Sequence, residues 1–568
     1  MTHKIYTVIT FAPVQGFIEK SRKLRDLYGS SYLLSYLSWV ICNAAEKHDC
    51  QIISPASPNM TQGMPNLIII QGNFREKDAK SAFDTAWECV TETCRDWIES
   101  HVSGEYYWKR NWDLWRTHAW EFFWVQGESG ESISDVRQRS NNKKYWRDWT
   151  GINWQGESST LSGADAIAYP RLGKISDPRQ YNYQQEKTEI NHFYEQLQNQ
   201  LGESFIDPSE ELSIPELIKR MITHEVIAEK LIQRLEPSLR KNGVNAEKLN
   251  KQIRKLSKEL SPKSFKDLSR QNDNNKTDNR TSEKKYWTGW FQGDGDKAGD
   301  YLKKFAGEPE EAQKIEEFSL QMREWGKFFQ KNPPENCRVI YAGGDDFLGV
   351  FHDAKEGREL QSSYCVNQLS KFKTEIWDKP KKKPISVSVG FVWAGPGVPQ
   401  RDVLQHCREA EKSAKSNGRD RIAFRVLFNN GNYLEWVCPW WLLETGLLSS
   451  YCDREHNQEK PNWTHIYNDV AVLESRHVFD DDGLDIALGL LEIYFPTQTD
   501  KLKPENWWNE YDADKQLIKT GILGDRLPYT TDNTETGKLN QTKVNKALTN
   551  WIINLAKVGF HLCQESKQ

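Results

Sequence analysis

One order of elements, used twice, constrains this chain more than anything else in it. The β-branched and aromatic run KIYTVITFA (4–12) leads into helical periodicity over 14–48. Two further apolar runs follow, CQIISP and NLIIIQG, and then an amphipathic stretch at 77–100. The same succession returns over 286–430. It opens with YWTGWFQGDGDKAGDYLKKF, the helical AQKIEEFSLQMREWGKFFQ and the hairpin VIYAGGDDFLGVF (339–351). A helix over 359–377, the strand ISVSVGFVWA, a helix over 399–418 and the strand DRIAFRVL complete it. Apolar β-rich runs bounded by Gly and Pro predict strands, and a 3.6-residue period predicts helices. Strand–helix–strand–strand–helix is an α+β order, a sheet covered on one side. The echo lies in the order of elements, because no sequence repeat is readable between the copies. Within 14–48, Gly29 is expected to divide two helices. AWEFFWVQGE (119–128) is expected to return a strand to the first sheet.

The 568 residues suit about three or four domains. The copies set the boundaries: 1–154 and 286–430 hold them. Residues 155–285 form a polar, helical middle region ending in the linker SRQNDNNKTDNRTSEKK, and 431–568 a helical C-terminal domain. With 37% hydrophobic and 27% charged residues the composition is globular. A net charge of −4 argues against a basic coat for bulk nucleic-acid binding and leaves local basic patches open. The ten cysteines have no regular spacing and read as reduced thiols, with Cys89 and Cys94 in a core. No apolar run approaches the roughly 18 residues of a membrane span, and the first residues show no signal-peptide pattern, so no membrane is expected and the expected compartment is cytoplasmic. The Trp-rich stretch 108–154 could stack RNA bases, form core or present a partner surface; a partner surface is the preferred reading. VFDDDGLDI (478–486) reads as a loop and helix N-cap.

The hairpin VIYAGGDDFLGVF holds the first candidate site residues. Gly343 and Gly344 are expected to supply the positive φ of a tight turn and room for a ligand. Asp345 and Asp346 then stand beside an apolar core, where two carboxylates repel and resist desolvation unless a divalent cation compensates. In FQGDGDKAGDYL, Asp294 and Asp296 are expected to share a strand face, with Asp294 converging on Asp345. An all-oxygen set selects Mg²⁺ or Mn²⁺ over zinc. Lys297 begins a helix start whose amides could hold phosphate. Lys415 and Arg419, four apart near a helix end, would offer two cations to a polyphosphate. Each motif alone is commonly a solvated turn, a polar loop or a helix end. Their order on alternating strands and helices is what points to phosphoryl-type chemistry on a nucleotide.

The order DGDKAGD, AGGDDFLGVF, SVSVGFV, AEKSAKSNGRDRIAFRV resembles the ferredoxin-like palm of nucleotidyl cyclases and GGDEF enzymes. With ITFAPVQGFIEKSRKLRDLYGSSYLLSYL at the start, the chain resembles the Cas-ten (Cmr-type) large subunit of type III-B CRISPR effector complexes. The resemblance implies two palm domains, a degenerate zinc-ribbon middle region and a helical C-terminal domain. It implies synthesis of cyclic oligoadenylate, or a related adenylate messenger, from ATP when the complex binds target RNA. Asp345 and Asp346 would bind metal with Asp294 as third ligand, two ions in all. Gly343, Gly344, Lys297, Lys415 and Arg419 would contact nucleotide. The implied partners are other complex subunits, guide RNA, target RNA and ATP. An N-terminal HD nuclease domain is expected to be absent, His48-Asp49 being a helix-end pair. Ser159, Ser162, Ser213 and Glu216 stand where relatives place four zinc-binding cysteines, so no zinc is expected. The first palm has NMTQGMPNLIII in place of Gly-Gly-Asp-Asp and is expected to be non-catalytic; Arg22, Arg25 and Asp26 could reach its cleft or form a solvated helix face. The rival readings are a catalytically silent scaffold subunit and a free-standing nucleotide cyclase.

Overall fold

The computed structural model describes residues 4–60, 63–146, 151–202, 205–207, 209–240, 251, 286–351, 360–454, 461–480, 483–513, 515–532, 534 and 537–564. The expected linker 269–285 and the centre of the 478–486 acidic run lie outside the described residues. The described residues fall into two compact units, one within Met1–Ser269, Gly299–Lys327 and Ile340–Gly344, the other within Arg270–Ala298, Phe328–Val339 and Asp345–Gln568.

In the first unit β1 (Tyr6–Ala12), β2 (Gln51–Ser54), β3 (Ile68–Gln71) and β4 (Glu121–Gln126) form a sheet of order β2-β3-β1-β4. Val8 of the central β1 lies opposite Ile69 on one side and Val125 on the other, both pairings antiparallel. Helices α1 (Val14–Glu19), α2 (Leu24–Lys47) and α3 (Glu76–His101) connect the strands. The break in 14–48 falls at residues 20–23, not at Gly29. The Asp26 carboxylate accepts the N–H groups of Arg22 and Lys23 at 3.0 and 2.9 Å and so starts α2. Gly29 lies inside that helix for a packing reason: a Cβ there would sit 2.0 Å from the Lys219 carbonyl oxygen.

After α4 (Lys109–His118) and α5 (Ile133–Tyr145), helices α6 (Tyr183–Leu201), α7 (Ile214–Met221) and α8 (Glu225–Arg240) belong to the same unit. Ile190, Phe193, Leu217 and Leu231 share one core with Ile9, Leu37 and Trp87. The partner-surface reading of the Trp-rich stretch fails at its start. Trp108 and Trp112 are buried, and Trp108 meets Phe193 edge-on at 5.7 Å and donates to Glu99 at 2.9 Å. Tyr145 and Trp146, at the far end of α5, are exposed.

Arg25 and Asp26 are neither at a cleft nor on a solvated face. Asp26 takes the Arg220 guanidinium in two bonds of 2.8 and 2.9 Å, Arg220 also reaches Glu210 at 2.5 Å, and all three are buried. Arg25 donates to Thr223 at 3.1 Å and lies 3.5 Å above the Phe205 ring. These charges tie the start of α2 to α7 and its flanks. Ser159, Ser162, Ser213 and Glu216 come together in the same unit. Ser159 Oγ lies 3.4 Å from Ser162 Oγ and donates to Glu216 at 3.3 Å, while the Ser213 N–H donates to Glu216 at 2.7 Å. Hydrogen bonds join the four positions into one network around the buried Glu216 side chain.

The second sheet has order β10-β9-β8-β5-β7-β6, built from β5 (Thr288–Gly295), β6 (Cys337–Ala342), β7 (Asp346–Phe351), β8 (Val387–Ala394), β9 (Arg421–Leu427) and β10 (Tyr433–Pro439). Its inner order β8-β5-β7-β6 repeats β4-β1-β3-β2, so the echo in element order is a shared topology of the ferredoxin-like kind. Helices α9 (Ala298–Lys303), α10 (Glu311–Lys331), α11 (Ser362–Leu369) and α12 (Gln400–Ser416) lie along this part of the chain. α12 rests directly on β8, where a Cβ at Gly390 would sit 2.3 Å from the Glu411 nitrogen. The sheet also runs past its expected end. β10 pairs antiparallel with β9 inside the region expected to be helical, because its apolar residues complete the buried edge. The helices α13 (Trp440–Glu444), α14 (Thr464–Ser475), α15 (Leu484–Tyr494) and α16 (Gln541–Cys563) follow, with a short hairpin of β11 (Glu510–Tyr511) and β12 (Leu517–Lys519). Trp551 of α16 donates to the Val437 carbonyl at 2.7 Å, which docks α16 on β10. Among the described residues no helix is long and apolar enough to cross a membrane.

Candidate active site at the hairpin tip

β5 and β7 run antiparallel, with Asp294 directly opposite Asp346. Residues opposite in such a pair project from the same face. The convergence expected of Asp294 and Asp345 is therefore made by Asp294 and Asp346. Asp345 lies in the turn, and its carbonyl accepts the Gly295 N–H at 3.0 Å. Burial, then the charges of Asp345 and Asp294, raises the Asp346 carboxyl to about 7, with Glu411 adding further repulsion. Asp346 is exposed to water at the start of β7. Its desolvation is incomplete, so repulsion from the like charges of Asp345 and Asp294 is the cause that persists.

One cation already stands on this cluster. The Lys415 ammonium pairs with Asp294 and with Glu411, the latter at 2.6 Å. Burial lowers the basicity of Lys415, but the two carboxylates outweigh it and the group is held above the ordinary lysine range. The Glu411 carboxyl is raised, by burial first, with Lys415 opposing. Asp296 does not share the Asp294 strand face, since β5 ends at Gly295. It turns inward and accepts from Ser388 Oγ at 2.7 Å, Ser386 Oγ at 2.8 Å and the Asp420 N–H at 2.9 Å. It braces the turn that follows Asp294 at the end of β5.

Arg419 is not on one helix face with Lys415. α12 ends at Ser416, and Gly418, Arg419 and Asp420 follow with φ of 113°, 64° and 51°. Three contacts pull the chain out of the helix: the Asp420 N–H bonds Asp296, and the Asp420 carboxylate takes Lys373 at 2.6 Å and Thr520 at 2.7 Å. Lys297, at φ 54°, precedes a helix of six residues and places its ammonium 5.1 Å from the centre of the Tyr511 ring.

Gly343 and Gly344 adopt no positive φ. Gly343 is needed for closeness instead, since a Cβ there would lie 2.5 Å from the Gly63 carbonyl oxygen. The buried Arg323 guanidinium donates to that same carbonyl and, at 3.2 Å, to the carbonyl of Gly343. The first region's loop around Gly63 thus packs on the turn of the acidic hairpin, in the room expected for a ligand.

Among the described residues no group of three His, Cys, Asp or Glu side chains is spaced to hold a metal ion. In donor type, though not in spacing, the set suits a hard cation. Asp294, Asp345 and Asp346 are oxygen donors, burial and their mutual repulsion raise the Asp346 carboxyl, and a lysine ammonium supplies the compensating charge on Asp294. Sequence reasoning missed Ser386, Ser388, Glu411, Arg323 and Tyr511. The two serines alternate within an apolar strand and Glu411 is one turn before Lys415, so those signals were present; Arg323 and Tyr511 carried none.

A family model for the Cas10/Cmr2 second palm domain matches residues 287–423, the span that contains Asp294, Asp345, Asp346, Lys415 and Arg419. A model for the N-terminal part of the CRISPR-associated protein Cmr2 matches residues 6–63. The chain carries Cas10/Cmr2 domains. The second-palm match begins with β5 and ends within β9, and the N-terminal match takes in β1, α2 and Gly63. No curated protein matches the chain in sequence. Among solved structures, a type III-B Cmr-beta complex in its apo state aligns at 13% identity, covering 77% of this chain and 70% of that one, with a TM-score of 0.44. A Csm1-Csm4 cassette in complex with AMPPNP aligns at 12% identity over 99% and 70% of the two chains, with a TM-score of 0.39. Another, in complex with cA3, aligns at 13% over the same shares, also at 0.39.

Proposed function

We propose that this chain is the large subunit of a type III CRISPR effector complex and that its second palm makes cyclic oligoadenylate, or a related adenylate messenger, from ATP when the complex binds target RNA. The opposition of Asp294 and Asp346 beside Asp345, inside the segment that matches the second palm, carries this reading. The proposed division is a non-catalytic first palm over 1–154, a middle region over 155–285, the second palm over 286–430 and a C-terminal domain over 431–568. Other complex subunits, guide RNA and target RNA are the proposed partners, and the cytoplasm the proposed compartment.

In the reaction, a nucleotide 3′-hydroxyl attacks the α-phosphorus of ATP. A phosphodiester forms, the bond to the β-phosphate oxygen breaks, pyrophosphate leaves and the hydroxyl proton passes to water. Asp294, Asp345 and Asp346 would hold Mg²⁺ or Mn²⁺, which when bound stabilises the attacking and leaving oxygens. Asp296 keeps Asp294 in place through Ser386 and Ser388. Lys415 and Arg419 supply positive charge on the α12 side, and Lys297 on the β5 side.

The test is the assembled complex with labelled ATP, Mg²⁺ and target RNA. The wild type should yield oligomeric or conjugated adenylate. Asp345→Ala with Asp346→Ala should abolish it with assembly intact, a loss of several kcal/mol of transition-state stabilisation, at least about a thousandfold in rate. Retained synthesis in the double variant would return the hairpin to a structural turn. A wild-type complex that makes no product would be a scaffold. Full-rate synthesis by the purified chain without RNA would identify a free-standing cyclase.

A further inference from the structure

The C-terminal segment 509–525 returns to the acidic site and is fastened to the turn between α12 and β9. Asn509 Nδ2 lies 2.8 Å from the Gly418 carbonyl and 2.9 Å from Asp525, and Asn509 Oδ1 accepts the Gly521 N–H at 2.8 Å. Arg421 donates to the carbonyls of Gly521 and Ile522 at 2.9 and 3.0 Å. Gly418 and Gly524 meet backbone to backbone, so that a Cβ on Gly418 would lie 2.5 Å from the Gly524 Cα. Together with the bond from Thr520 to Asp420, these contacts fix where β11 begins relative to Arg419 and the Asp294–Lys297 loop.

Tyr511 is the residue this arrangement delivers. Its hydroxyl donates to Asp525 and lies 3.2 Å from Asn509 Nδ2, which holds the ring in one orientation. The ring faces the Lys297 ammonium at 5.1 Å. Burial and the bond to Asp525 push the Tyr511 phenol up to about 12. Arg419 directly follows Gly418, whose carbonyl is held by Asn509, two positions before Tyr511. Lys297 is three residues beyond Asp294 and Arg419 four beyond Lys415. Among the described residues, Lys415 is already paired with carboxylates, whereas Lys297 and Arg419 have no carboxylate partner. One such cation at a part-exposed aromatic ring and a second in the turn to which that ring's segment is fastened, next to a carboxylate cluster, match the needs of a metal-bound polyphosphate.

We propose that Tyr511 is a positioning residue for polyphosphate binding: its ring holds the Lys297 ammonium beside Arg419, so that both cations face the phosphates of a nucleotide. The ring does not touch the reacting atoms. This rests on the proposed nucleotide site but places part of that site in the C-terminal segment. It also assigns to Asn509, Asp525 and Arg421 the work of holding that segment in place.

The test measures binding of inorganic tripolyphosphate with Mg²⁺ to the full chain by calorimetry, and ATP turnover by the RNA-loaded complex. Tyr511→Leu should weaken tripolyphosphate binding roughly threefold to tenfold, the range a cation–ring contact supports. It should raise KM for ATP by a similar factor and leave kcat within about twofold. Tyr511→Phe, which keeps the ring and loses the bond to Asp525, should weaken binding less than Tyr511→Leu, and Tyr511→Leu combined with Lys297→Met should be no weaker than Lys297→Met alone. Equal binding by wild type and Tyr511→Leu would overturn the proposal and leave the synthase reading standing. Tripolyphosphate binding that depends on Tyr511, in a complex that makes no adenylate product, would support the proposal and overturn the synthase reading. A wild-type chain that binds no tripolyphosphate would overturn the Tyr511 assignment itself. Should Tyr511→Leu fail to fold, Tyr511→His and Tyr511→Met carry the same comparison.

Discussion

Asp26→Asn offers the sharpest test of how the first unit holds together. The Asp26 and Arg220 side chains are 2% and 0% exposed, and Arg220 has a second carboxylate partner in Glu210. Burial raises the Asp26 carboxyl. The Arg220 charge and its paired hydrogen bonds, with the N–H groups of Lys23 and Arg22, outweigh that and hold it at about 2 against an ordinary 3.8. A folded-state value below the unfolded one means that this carboxylate contributes stability above about pH 4, lost as pH falls toward 2. The shift of nearly two units corresponds to about 2 kcal/mol. Removing the charge also leaves Arg220 half-paired where water cannot reach it, and breaking a buried pair costs about 3–5 kcal/mol. At about 2 °C per kcal/mol for a unit of this size, the melting temperature at pH 7 should fall by roughly 6–10 °C. Thermal unfolding of the full chain followed by near-ultraviolet circular dichroism measures this. Asp26→Asn combined with Arg220→Met should recover part of the loss, because no uncompensated charge remains. The reasoning fails if Asp26→Asn melts with the wild type at pH 7, or if the gap does not narrow between pH 4 and pH 2.

Asp346→Asn should act in the opposite sense in the absence of divalent ions. The raised carboxyl means the folded state binds that proton more tightly than the unfolded chain, so ionisation costs stability increasingly above about pH 4 and fully above about 7. After discounting for its water-exposed edge, the gain should be about 1 kcal/mol at pH 8, absent at pH 4, and removed by Mg²⁺; a gap that does not change with pH in EDTA would refute it. Gly343→Ala should lower stability by about 1–3 kcal/mol, since its Cβ would meet the Gly63 backbone at 2.5 Å, whereas Gly299→Ala, with nothing within 4 Å, should be neutral. Equal denaturant midpoints for the two glycine variants would show that the Gly63 contact is not as close as described.

The acidic hairpin and the strand before it were readable because their signals are local. Asp294 and Asp346 sit at strand ends set by apolar runs, and period-two alternation is carried by neighbouring residues. Gly29 was misread for the converse reason. Within its helix the residue resembles a breaker, and the carbonyl that requires a glycine belongs to Lys219, far along the chain. Arg25 and Asp26 look like surface charges for the same reason, their partners Thr223 and Arg220 being 198 and 194 residues away. Trp108 and Trp112 look like a sticky surface until α6 is placed over them.

By itself, then, the amino-acid order determined the α+β pattern, its use twice, the carboxylates at one hairpin tip and the segments that match the Cas10/Cmr2 domains. Only the tertiary structure decided that Asp294 opposes Asp346 rather than Asp345, that Lys415 is already paired, that Gly343 serves the Gly63 backbone and that Tyr511 reaches Lys297. Periodicity and turn chemistry act over a few residues and leave a trace in the sequence. Register, ion pairing and close backbone approach depend on which distant segments meet, and that is settled only when the whole core closes.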